Sequence, residues 1–263
     1  MEYSLSKFQK MEKTSEKGTY ICINCGNKVE SLYRKYSPTV LKLTNCEKCH
    51  RVADKYVEYD AIIIIIDLIL LQQRAYRHIL FNSNYKNLWK LSVIVLLIDT
   101  YIDWSSFNKF FGFKKLQYEN YYDNFDFYKI GMKNSIRTLL FVVTVYLHTS
   151  LYCKILQRKQ VSLIEVWKML SISSFGTFFF LPVLIWDIGV HQEIHKFIIL
   201  VYIILSQLTA YMVIVDGAKI WSICTILMSY TFKTFIFNYY YDHTSMTMFN
   251  ENILPLSLKE LMK

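Results

Sequence analysis

Phe197-Ile198-Ile199-Leu200-Val201-Tyr202-Ile203-Ile204-Leu205-Ser206-Gln207-Leu208-Thr209-Ala210-Tyr211-Met212-Val213-Ile214-Val215 runs nineteen residues without a charged side chain. As a helix rising 1.5 Å per residue, such a run is about 28 Å long, close to the hydrocarbon thickness of a bilayer. Working outward, Met169 to Trp186 is a second uncharged run, of eighteen residues, and Thr138 to Cys153 carries no formal charge over sixteen. Leu88 to Trp104 is apolar but short, with Asp99 and Asp103 near its end, and Ile220 to Tyr241 is interrupted only by Lys233. These runs predict an α-helical polytopic membrane bundle of roughly four to six segments within residues 83–263.

The whole chain agrees with that reading. Of its 263 residues, 53% are hydrophobic, and the 21 tyrosines and 18 phenylalanines suit membrane interfaces. Seven glycines and three prolines leave little room for flexible linkers. The net charge of +9 is attributed to loops that orient membrane segments and meet anionic lipid surfaces. No basic stripe lies on a soluble fold, so nucleic acid is excluded as a partner. Residues 105–134, rich in Tyr, Phe, Lys, Asp and Asn, read as a loop on the membrane surface. The five lysines of that stretch oppose Lys154, Arg158, Lys159 and Lys168 of the next connection, so basic residues do not settle the orientation.

Ahead of the bundle the composition changes. Residues 1–19 are polar and charged and read as a flexible tail without a signal peptide's apolar stretch. The N-terminus is therefore expected in the cytosol. In residues 20–55, Cys22-x-x-Cys25 is followed after twenty residues by Cys46-x-x-Cys49. Two such knuckles present four thiolates to one metal, which in a reducing compartment reads as Zn²⁺. Four sulfurs close the coordination sphere, so the zinc is structural. A region this small needs such a staple to fold. Thr39 to Leu43 reads as a short extended element between the knuckles, giving a small zinc-ribbon-like β/turn module. Cys46-Glu47-Lys48-Cys49-His50 also fits the haem-attachment pattern, but that reading strands Cys22 and Cys25. Cys153 and Cys224, inside apolar runs, read as small apolar helix residues.

Residues 56–82 join the two parts. Ile62 to Ile66 is a pure isoleucine run, followed by Asp67 and Leu68 to Leu71, and it is too short to span. Extended to Phe81 as one helix, it carries Asp60, Asp67, Arg74 and His78 in one stripe, an amphipathic or membrane-embedded helix with a polar seam. The seam either packs against another segment or meets lipid headgroups. On the second reading Arg74 and Arg77 contact phosphate, while Tyr59 and Tyr76 sit at headgroup depth.

Several runs in one order now carry a resemblance: Cys22-Ile23-Asn24-Cys25-Gly26, Ser31-Leu32-Tyr33, Leu43-Thr44-Asn45-Cys46-Glu47-Lys48-Cys49, Val52 to Asp60, Ile65 to Leu70, Ala75-Tyr76-Arg77-His78 and Leu80-Phe81-Asn82. Over residues 20–82 the chain resembles the homology domain of the Arv family. The resemblance implies a multi-pass protein of the endoplasmic reticulum, sometimes also of the Golgi. It implies a role in sterol distribution and sphingolipid balance, or a non-catalytic part in a complex that assembles glycosylphosphatidylinositol anchors. It also implies that Cys22, Cys25, Cys46 and Cys49 bind the zinc. Membrane lipids, and a membrane protein complex on the second reading, are the implied partners.

Nothing in the residues marks an enzyme. There is no glycine-rich phosphate loop, nucleophile elbow or HExxH. His191 and His195 make a two-ligand pair without a third, Asp99 and Asp103 read as carboxylates solvated at a segment's end, and Lys233 either snorkels or serves a site.

Overall fold

The structure is a computed structural model that describes residues 20–37, 40–83, 88–112, 123–185, 192–215 and 219–253. The tail at 1–19, Thr39 and His191 lie outside the described residues. The fold is mostly helical, with a small strand module at the N-terminal end. Strands β1 (Tyr20–Ile21) and β2 (Lys28–Val29) pair antiparallel, as do β3 (Tyr33–Ser37) and β4 (Val40–Leu43). Leu32, Ala53 and Val57 form the module's own small core. A 3-10 turn at Lys55–Val57 leads out of it.

The isoleucine run forms helix α1 (Ala61–Ile69), and here the structure departs from a single long helix. Leu71 has φ 56, which ends α1, and the chain turns into α2 (Gln73–Arg77) and a π turn at His78–Asn82. The hairpin returns to its starting point. Asn82 accepts from the Ile21 N–H at 2.9 Å and donates to the Ile21 carbonyl at 2.8 Å, so its amide extends β1. The break also scatters the seam: Asp67 accepts from the Tyr56 hydroxyl at 2.6 Å, His78 turns to Asp54, and Arg74 is exposed.

The bundle follows. Helix α3 (Leu88–Gly112) leaves the module and α4 (Asp123–Ile155) returns, with Asn134 donating to Asp103 at 2.9 Å where they meet at the far end. Helix α5 (Leu163–Ser173) opens on a capping box from Ser162 and Glu165. It runs through a 3-10 turn at Ser174–Phe179 into α6 (Phe180–Ile185), and Pro182 falls just past this change of helix type. Helix α7 (Gln192–Val215) comes back, and Arg158 donates to its last carbonyl, Val215 O, at 2.9 Å. Helix α8 (Lys219–Ile253) leaves again, stacking Trp221 on Tyr152 and setting Tyr230 edge to face with Phe141 of α4.

Among the described residues, three stretches are long and apolar enough to cross a membrane: Phe127–Ile155, Leu163–Ile185 and Ile194–Val215. Their outer faces expose Leu139, Leu147, Ile198 and Leu205, as lipid-facing helices do. The Leu88–Trp104 and Ile220–Tyr241 runs fall inside α3 and α8, which pack against them. The surface loop expected at 105–134 is replaced at both ends. Residues 105–112 continue α3 and 123–134 open α4, and beside these extensions Trp104 meets Phe127 edge to face at 6.0 Å.

The module and bundle are not separate bodies. One hydrophobic core contains Ile23 and Tyr56 from the module, Ile64, Ala75, Tyr76 and Ile79 from the hairpin, and Val145, Val166, Met169, Tyr211 and Ile226 from the bundle.

Candidate metal centre

The first knuckle is shaped by backbone hydrogen bonds. Cys22 N–H donates to Asn27 O at 2.8 Å and Gly26 N–H to Cys22 O at 2.9 Å. Gly26 takes φ 76, a conformation glycine adopts without cost. The second knuckle repeats the pattern: Cys46 N–H donates to Arg51 O and His50 N–H to Cys46 O, both at 2.8 Å. Here His50 holds the left-handed position with φ 56, its side chain exposed. Histidine is one of the few side chains that enter this region readily, so the second knuckle closes without a glycine.

Two bonds bring the knuckles together: Ile23 N–H to Ala53 O at 2.9 Å and Asn24 Nδ2 to Val52 O at 3.0 Å. The four Sγ atoms consequently lie within 4.8 Å of one another. Cys22 and Cys49 approach to 3.8 Å, Cys25 and Cys46 to 3.6 Å. A tetrahedral metal with bonds of about 2.3 Å needs sulfurs about 3.8 Å apart, so the donors fit one such ion. Cys22, Cys25, Cys46 and Cys49 can thus hold a metal, with no place left for a reacting ligand. His50 is not among the four donors that converge.

Without a cation, four thiolates cannot share this space. Burial pushes Cys25 up to about 12 and raises Cys22 as well. Cys46 stands at about 7: burial opposes its ionisation, and the N–H groups of Cys49 and Lys48 outweigh that. A dication reverses the logic and holds all four sulfurs as thiolates.

A second layer ties the knuckles to the hairpin. Arg77 Nη1 donates to Ile23 O at 3.0 Å and to Asn24 O at 2.9 Å, inside the first knuckle. Fully buried Asp54 accepts from Tyr56 N–H at 2.9 Å, His78 Nδ1 at 2.7 Å and Asn82 Nδ2 at 2.7 Å. Sequence reasoning had no means to see this network. Its one trace is that Asp54, Arg77, His78 and Asn82 all fall within the runs that carry the family resemblance.

The headgroup candidates separate accordingly. Tyr76 is 2% exposed and shares a 2.7 Å hydrogen bond with Ser206 of α7, so it packs the hairpin rather than reaching headgroups. Arg77 is half-buried, with its Nη1 engaged at the knuckle. Tyr59 is half-buried, edge to face with Tyr56 and under the Lys55 ammonium. Arg74 alone of the four is exposed.

The chain is 32% identical to Protein ARV1 of Bos taurus over 64% of its length and 60% of the relative's. It is 32% identical to Protein ARV1 of Homo sapiens over 64% of the chain and 62% of that protein. Protein ARV 2 of Arabidopsis thaliana is 49% identical over 30% of this chain and 38% of its own. The chain therefore spans less than two thirds of the curated mammalian relatives it matches. No solved structure matches it. The Arv1-like family profile matches residues 21–211, from the first knuckle into α7, and the chain belongs to that family.

Proposed function

We propose that this protein mediates lipid homeostasis in the endoplasmic-reticulum membrane, through sterol distribution and with effects on sphingolipid metabolism. It does so without catalysing a reaction. The metal is Zn²⁺, one per chain and structural, and the module faces the cytosol, whose reducing conditions keep thiols free for the ion.

The observation that carries this reading is the shared core of metal module, hairpin and bundle. On the module alone the isoleucines would be an aggregation hazard. Ile62 is 70% exposed and Leu70 61%, beside exposed Ile63, Ile65 and Ile66. Seated against spanning helices, the same side chains have lipid to meet. A module held against spanning helices in this way suits a protein that senses or sorts membrane lipids. Membership of the Arv1-like family adds its weight.

The test is complementation in cells lacking the family member, reading sterol distribution beside protein level. The wild-type chain should restore the distribution. Cys22→Ser should fail and lose about one zinc per chain. Normal sterol distribution in a stable, zinc-free variant would overturn the structural-zinc reading. Rescue through a co-purifying anchor-assembly complex, with no change in sterol, would shift the function to that complex.

A further inference from the structure

Between α3, α4, α5, α7 and α8 lies a cavity of about 70 Å³. That is several times the ~10–15 Å³ one water requires. It sits deep in the bundle. Asp99 is eleven residues along α3 and Gln207 eight residues before the end of α7, so both lie about 12–16 Å from the module side. Its lining combines Asp99, Lys233 and Gln207 with apolar wall residues such as Phe141 and Leu170.

Gln207 points to a ligand. It is only 3% exposed; its Nε2 donates to Ser174 Oγ at 3.5 Å, and its Oε1 has no hydrogen-bond partner among the described residues. A buried acceptor at that depth is costly, since lipid tails offer no donors. Lys233 does not snorkel. Its Nζ lies 5.1 Å from the Phe141 ring and 5.3 Å from the Tyr230 ring, facing inward. Across from it stands the Asp99 carboxylate, so the cavity carries one charge of each sign. At bilayer depth such groups serve a site more often than they serve packing. Thr138, also in the lining, is exposed on the outer face of α4 and gives the cavity a lateral mouth.

We propose that this cavity binds the small, uncharged, hydroxyl-bearing head of a membrane lipid, which enters sideways past Thr138 and donates to Gln207 Oε1. The volume excludes a phosphocholine-sized head, and the balanced Asp99 and Lys233 give no preference for a net charge. The apolar body stays outside, along Leu139 and its neighbours. The inference rests on the reading of the bundle as lipid-embedded and deepens it to a ligand class.

The experiment uses the full-length, zinc-loaded protein in phosphatidylcholine nanodiscs. Four photoactivatable probes are compared: diacylglycerol, ceramide and cholesterol analogues, each with a free hydroxyl, and phosphatidylcholine. Labelling of the peptide holding Thr138 and Phe141 is read by mass spectrometry. At least one hydroxyl-headed probe should label it saturably and about tenfold more than phosphatidylcholine, and the strongest of the three identifies the lipid body. Gln207→Leu should cut that labelling about tenfold at unchanged melting temperature. If Gln207→Leu misfolds, Thr138→Trp, which blocks the mouth from outside, should give the same loss. Equal labelling by phosphatidylcholine, no labelling by any probe, or unchanged labelling in a folded variant overturns the proposal. Cellular lipid distribution does not enter this readout, so the homeostasis reading can fail separately.

Discussion

Two arginines three residues apart on a short helix divide the labour at the module's edge. Arg77 reaches two carbonyls of the first knuckle, whereas Arg74 points to solvent. Hydrogen bonds from a charged donor are each worth about 1.5–3 kcal/mol. One Nη1 serves both carbonyls, so the two bonds count as little more than one, and Arg77→Ala is expected to destabilise the protein by about 2–3 kcal/mol, seen as a lower melting temperature and faster zinc loss to a chelator. Arg74→Ala should leave both unchanged and weaken binding to anionic vesicles roughly fivefold, one arginine near such a surface contributing about 1 kcal/mol. An Arg74 variant that melts early would give that residue a packing role instead. The thiols supply a pH test. Burial keeps Cys22 and Cys25 protonated when no metal is bound. For the metal-free module their raised values favour the fold at low pH, and that contribution is lost as pH rises through them. Metal binding works against this, because at least two protons must leave. Apparent affinity should fall about a hundredfold per pH unit on acidification, measured by chelator competition at pH 8, 7 and 6. An affinity flat with pH would exclude thiolate ligation. The four ligands were legible in the sequence because CxxC spacing has few other uses. The Asp54–His78–Asn82 network was not, because its members lie far apart in the chain and only the fold joins them.

The hairpin shows where reading by period breaks down. A continuous helix through 61–81 requires ordinary φ at Leu71, and nothing local forbids it. The turn wins because the end of α1 finds partners elsewhere. Tyr202 of α7 donates to Ile69 O at 2.9 Å, and Leu68 O accepts from Leu71 N–H at 3.0 Å and from the Tyr76 hydroxyl at 3.4 Å, so carbonyls at the helix end are satisfied. Both ends of the hairpin stay with the module, so a hairpin of this shape that enters a membrane returns to the side it came from. A cysteine at Leu70, in a background lacking Cys153 and Cys224, should therefore resist a membrane-impermeant maleimide from either side of sealed vesicles. One at Arg34 should react from the module side only. Reaction at Leu70 from the side opposite the module would mean that the segment spans. Close packing constrains the bundle too. A Cβ on Gly176 would lie 2.7 Å from Ile203 Cγ1 and from Tyr202 Cδ1, whereas one on Gly131 meets nothing nearer than 3.4 Å. Gly176→Val should cost at least about 1–3 kcal/mol through overpacking, and Gly131→Ala should cost less. Thermal melts in one detergent decide between them.

For the whole molecule, hydropathy found the apolar runs but not their direction of travel. Basic residues on alternate connections nearly cancel, and the isoleucine segment left the parity open. Contacts fix it. With a hairpin that returns, α3 leaves the module, α4 returns, α5 and α6 leave, α7 returns and α8 leaves. The pairs that establish this are Asn134 with Asp103 at the far end, Arg158 with Val215 at the near end, and Tyr152 with Trp221 beside it. Lys159 must then share a side with the cysteine module, and Ser106 must lie opposite. If the module is cytosolic, Lys159→Cys should be modified by impermeant maleimide in permeabilised-plasma-membrane cells whose reticulum is sealed. Ser106→Cys should react only after the reticulum is opened. The reverse pattern at both positions would put the zinc module in the lumen, where an oxidising environment favours disulfides over thiolate ligation. Modification of both from one side would break the alternation itself. Because near and far labels are set by packing and the cytosolic assignment by redox chemistry, the two outcomes discriminate between a wrong fold and a wrong orientation.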